Sequence, residues 1–140
     1  MRKTIPMVLA LTGLIAAGCG GSSDSSGDGD ANEAAAVSAK DAGAEIDVVR
    51  NGLAASLTAY RNGDEAQAEE LATDAYLEHF ELVERPLGRR DRELNERLEE
   101  QIRGELRELL RDGAPVARVA ALVERIHREL DEAQRALGSG

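Results

Sequence analysis

Between Asp64 and Glu84 the chain carries eight carboxylates and no Lys or Arg: Asp64, Glu65, Glu69, Glu70, Asp74, Glu78, Glu81 and Glu84. Asp74, Glu78, Glu81 and Glu84 are three or four positions apart, which places them on one face of a helix. Like charges at those spacings weaken a helix slightly, so their retention suggests a use. One use is oxygen ligation of a hard cation such as iron(III), calcium or manganese. The other reading is a solvated acidic face, partly neutralised by Arg85, Arg89, Arg90 and Arg92 beyond the helix end, where the macrodipole favours cations. Glu81 and Glu84, with Glu99 supplied by the following helix, form the candidate metal site. Three carboxylates brought together without a cation repel, which predicts a raised pKa for at least one of them.

The remaining chemical equipment is sparse. His79 falls within an apolar stripe, the usual place of a core histidine with one hydrogen bond satisfied, and His127 is the only other imidazole. The single cysteine excludes a disulfide framework and any Cys-based zinc site. There is no glycine-rich phosphate loop, no nucleophile elbow, no His-Glu-x-x-His and no Cys-x-x-Cys-His. Ser56 has no histidine partner in its helix. These absences predict a protein that is not an enzyme and has no resident cofactor beyond, at most, iron or another hard cation. With 17 Lys and Arg against 27 Asp and Glu, the net charge of -10 argues against nucleic-acid binding. Aromatic residues, at 2% of the chain, are too few for base- or sugar-stacking platforms.

The elements that must position these residues are helices. Ala39, Ala42, Ile46, Val49, Leu53, Leu57 and Tyr60 form one stripe at spacings of three and four. Asn62-Gly63 ends it, and Asp64 with Gln67 reads as a capping box for the next helix. That second helix carries Ala68, Leu71, Ala72, Ala75, Tyr76, Leu82 and Val83 and is expected to stop near Arg85-Pro86. Asp91 caps a third, with Leu94, Leu98, Ile102, Leu106, Leu109 and Leu110 on its stripe, closed by Asp112-Gly113. Pro115 opens a fourth, with Val116, Val119, Val123, Ile126, Leu130, Ala133 and Leu137. Short connections make sequential helices antiparallel neighbours. The expected fold is all-α: an up-down-up-down four-helix bundle over 31–140, monomeric, following a disordered tether.

Residues 1–18 read as a signal peptide: Arg2 and Lys3, then an apolar run from Ile5 to Ala17 that is too short to span a bilayer. The ending Leu14-Ile15-Ala16-Ala17-Gly18-Cys19 resembles the lipobox of bacterial lipoproteins. That resemblance implies cleavage before Cys19, acylation of its thiol and attachment to membrane lipid. Residues 19–30, rich in Gly, Ser and Asp, then form a flexible tether. Loss of Arg2 and Lys3 takes the net charge from -10 to -12. The expected location is the cell envelope, with the bundle on the periplasmic or extracellular side.

Two Arg-Glu-x-x-Glu strings, starting at Arg92 and Arg128, are similar to the iron-binding motif of iron permeases. Both fall in amphipathic soluble helices, where exposed ion pairs are their expected role. A longer likeness runs through Tyr60-Arg61-Asn62-Gly63-Asp64 and Ala75-Tyr76-Leu77-Glu78-His79-Phe80-Glu81-Leu82-Val83-Glu84. It resembles the helical periplasmic domain of the bacterial high-affinity iron permease family and covers about 80 residues, from Leu57 to Leu137. The resemblance places Tyr76, Phe80, Glu81, Glu84 and Glu99 at recurrent family positions; His79 departs from the small residue of that pattern, and the multi-spanning permease domain is absent. It implies a stand-alone accessory for iron uptake, capturing iron or docking to a permease. A structural or interaction lipoprotein with no metal role is the alternative.

Overall fold

The computed structural model describes residues 38–138, apart from the side chains of Ala39 and Lys40. The described residues all fall within one compact unit, Ala31–Gly140. Cys19, the signal peptide and the tether lie outside the described residues.

Four helices account for nearly all of the described chain. α1 spans Ala39–Arg61; Ser38 caps it, its hydroxyl accepting the Asp41 N–H at 3.2 Å. α2 consists of α-helical Glu65–Asp74, a π-helical turn Ala75–Phe80 and α-helical Glu81–Arg90. α3 consists of Arg92–Glu99, a second π-helical stretch Glu100–Leu106 and a last turn Arg107–Arg111. α4 is Val116–Gly138. Asp64 caps α2 through the Gln67 N–H at 3.1 Å, and Asp91 caps α3 through the Leu94 N–H at 2.9 Å. Gly63 (φ 81°) and Gly113 (φ 63°) take the left-handed conformation that ends α1 and α3. No helix among the described residues is long and apolar enough to cross a membrane.

Side-chain pairs set the directions. Ser56 bonds to Ala68 and Glu45 to His79, so α1 and α2 run antiparallel. Gln101 bonds to Glu129 while Glu105 pairs with Arg125, so α3 and α4 do too. Arg50 meets Asp131 and Asp47 meets Gln134 across α1 and α4. One core runs between the four, with Ile46, Leu53, Phe80, Leu98, Ile102, Leu106, Ile126 and Leu130 all fully buried. The all-α fold expected from the apolar stripes is therefore present.

Three details differ from the sequence reading. α2 does not stop at Arg85-Pro86 but continues to Arg90, with Pro86 inside it. Proline in a helix interior costs about 3 kcal/mol. Here the continuation buries Pro86 and Leu87, worth roughly 1.5–3 kcal/mol for a large apolar side chain, and places Arg89 and Arg90 at the negative helix end. Leu82 and Val116, assigned to core stripes, are 40% and 41% exposed. Phe80, Leu87 and Leu122 are buried instead. For α2 the cause is the π turn, whose extra residue shifts the stripe by one position.

Candidate functional site

The π turns of α2 and α3 bracket a cluster of charged and phenolic groups. Tyr76, in the α2 π turn, is buried and stacks near Phe80, with ring centroids 5.9 Å apart. Its hydroxyl donates to Glu84 Oε1 at 2.8 Å. In an uninterrupted α-helix, residues eight apart point in directions about 80° apart. The additional residue of the π turn removes most of that offset, and so places the two side chains on one side of α2. On α3, Glu99 accepts from Arg103 Nη1 at 3.1 Å, and the fields of both reach Tyr76 and Glu84.

The electrostatics follow from burial first. Glu84 titrates above the ordinary carboxylate range because it is desolvated; Glu99 and Glu81 push it further up, while the Tyr76 hydrogen bond and Arg103 pull it down. Tyr76 is raised as well, by burial and then by its bond to the Glu84 carboxylate. Arg103 is held more firmly in its charged form by Glu99 and the Tyr76 oxygen. A raised carboxylate was expected here, but burial, rather than mutual repulsion, is its leading cause.

The three carboxylates proposed as a metal site are thus coupled without forming a cage. Glu84 is bonded by Tyr76, Glu99 is bonded by Arg103, and Glu81 is exposed and acts on Glu84 through its field. Among the described residues no group of three or more His, Cys, Asp or Glu side chains is placed to hold a metal ion. As donors, a phenol and carboxylates suit a hard cation, but Arg103 occupies the position of countercharge. A cavity of about 200 Å³ opens beside the cluster, lined by Glu99, Glu100, Arg103 and Gly104.

The other candidates have structural partners. His79 is half-buried, with Nδ1 2.7 Å from Glu45 Oε2 across the α1–α2 seam. His127 lies on the other side of α1, near Arg50; burial and that guanidinium lower its pKa. The buried Ser56 hydroxyl donates to the Ala68 carbonyl at 2.7 Å. Of the two Arg-Glu-x-x-Glu strings, the first makes an exposed Arg92–Glu96 pair at 2.7 Å. In the second, Glu129 accepts from the Gln101 amide on α3 at 3.1 Å, a contact the string itself does not suggest. Tyr76 as the hub and Arg103 as its countercharge were missed by the acidic pattern. A tyrosine eight residues before a glutamate signals nothing unless the π turn is known.

No family model, curated protein or solved structure matches the chain.

Proposed function

We propose that the chain is a lipid-anchored extracytoplasmic accessory protein for iron uptake, attached through acylated Cys19 and acting by docking to a permease or by transient capture of iron. It binds rather than catalyses. The observation that supports this reading is the Tyr76–Glu84–Glu99–Arg103 cluster. It unites, across two helices, three of the positions at which the sequence resembles the periplasmic domain of iron permeases, with Glu81 within its field.

The test is calorimetric titration of iron(III), presented as a soluble chelate, into the chain and into Glu81→Gln/Glu84→Gln, together with pull-down of a permease by the tethered form. Binding by the native chain that the double variant loses supports iron handling. Absence of both iron and permease binding removes this reading. A second reading, an envelope interaction lipoprotein without a metal role, is favoured by one observation: Glu84 and Glu99 already hold internal partners. It expects the variant to leave ion affinity unchanged.

A further inference from the structure

The outer face of α2 carries a pattern that the bundle itself does not use. Glu70, Asp74, Leu77, Leu82, Arg85 and Arg89 are all exposed, and among the described residues their side chains make no hydrogen bond or ion pair. Leu77 and Leu82, 52% and 40% exposed, are large apolar groups left in solvent. The steps between these six are four, three, five, three and four residues. In a plain α-helix the five-residue step would throw Leu82 about 140° away from Leu77. Here it crosses the π turn, whose wider winding takes up one residue, so Leu82 follows Leu77 as if four apart. The reach of the Tyr76 hydroxyl to Glu84 reflects the same offset. The six therefore form one straight stripe, roughly 30 Å long at about 1.5 Å per residue.

Along that stripe the chemistry reads acid, acid, leucine, leucine, arginine, arginine, symmetric in spacing and opposite in charge about its midpoint. We propose that it is a homodimer interface, in which α2 packs antiparallel on α2 of a second copy about a twofold axis between Leu77 and Leu82. Glu70 then lies opposite Arg89, Asp74 opposite Arg85 and Leu77 opposite Leu82, each twice, as an isologous contact requires. A basic partner protein matches only the first half of the stripe and an acidic one only the second; a second copy matches both. Glu78 and Glu81 flank the leucines and approach their own counterparts across the axis, so they oppose association. This departs from the monomer expected from sequence and depends on neither iron nor acylation. A shared membrane tether raises the local concentration and favours even a weak dimer.

The test uses the chain from residue 19 onward with Cys19→Ala, which removes lipid and thiol as causes of association; among the described residues the buried core begins at Ala42. Sedimentation is followed up to about millimolar, the range a short tether supplies. The native sequence is expected to dimerise. Arg85→Glu/Arg89→Glu and Glu70→Arg/Asp74→Arg are each expected to weaken self-association at least about tenfold, and an equimolar mixture of the two to form a heterodimer. Glu78→Gln/Glu81→Gln is expected to tighten the dimer. A native chain that stays monomeric throughout, or charge-reversed variants that self-associate undiminished and gain nothing on mixing, would overturn the proposal. Circular dichroism checks that each variant keeps its helicity, which substitutions at exposed positions should preserve.

Discussion

The bundle has a regular half and an irregular half. α1 and α4 run 23 residues each without interruption, and their seam is zipped by Arg50–Asp131 and by Gln134 with Asp47. α2 and α3 pack into the same core but each gives way to a π turn, and α2 also contains Pro86. The irregularities lie where the charged cluster lies. A π turn leaves the apolar stripe serviceable while re-aiming the side chains beyond it, which is how Tyr76 meets Glu84 and Leu77 aligns with Leu82. One half holds the fold in register; the other uses a change of register to assemble polar groups that regular helices would keep apart.

Deleting one exposed residue from each half is the strongest way to break this contrast. Loss of Val48 rotates the start of α1 by about 100° relative to the rest and takes Ala42 and Ile46 off the core. Stability to urea should fall by about 2–5 kcal/mol or more, the cost of losing one large buried side chain, Ile46, with Ala42 in addition. Loss of Leu77 lets the π turn close into an α turn with the downstream register kept, and should cost less than about 2 kcal/mol. Equal losses would show that the π turn is not an absorbed insertion.

Truncation of matched core residues sharpens the contrast. Leu130 on α4 and Leu106 at the end of the α3 π stretch are both fully buried. Leu130→Ala and Leu106→Ala should each cost about 2–5 kcal/mol in denaturant unfolding, with Leu106 at the lower end because an irregular turn can settle into the space. A cost near zero for either would place that stripe in solvent. Ser56→Ala, at the α1–α2 crossing, removes the 2.7 Å bond to Ala68 and should cost about 1 kcal/mol by the same measurement.

The smallest effect is a pH dependence. Glu84 has a folded pKa above its ordinary value, chiefly through burial, so the folded state binds its proton more tightly than the unfolded chain does. Its contribution favours the fold at acid pH and is lost as pH rises from the ordinary carboxylate value through the raised one. Glu84→Gln should flatten that fall, seen as a melting-temperature difference between native and variant that changes sign or size across the window. A constant difference would mean that Glu84 is not the group titrating.

The helices, two of their caps and the core of the regular half were legible because each rests on local physics: Asp64 and Asp91 as caps, Gly63 and Gly113 as left-handed ends, and Ile46, Leu53, Ile126 and Leu130 at strict helical spacing. That Glu84 feels both Glu81 and Glu99 was readable from three-residue spacing and an antiparallel neighbour, although the three do not gather as the metal site for which they were chosen. What stayed hidden depends on the π turns. Ala75–Phe80 has no composition that marks it, so Leu82 read as buried, Phe80 was left off the apolar stripe and the Tyr76 bond to Glu84 went unforeseen. Pro86 misled for a different reason: its local cost is real, but burial of Pro86 and Leu87 together, with Arg89 and Arg90 at the helix end, offsets it.

Because the helix count is even and successive helices reverse, the chain enters α1 and leaves α4 at the same end of the bundle, where Gln134 reaches back to the Gly43 carbonyl. A fold with neighbouring entry and exit behaves as a cassette. It can be spliced into a surface loop, fused ahead of another domain or cut loose on a leash of its own without redrawing its interior, since no core residue must bridge the splice. Such geometry makes gene fusion and fission inexpensive in structural terms. It lets one bundle serve in evolution as a module of a larger machine or as a detached part of it.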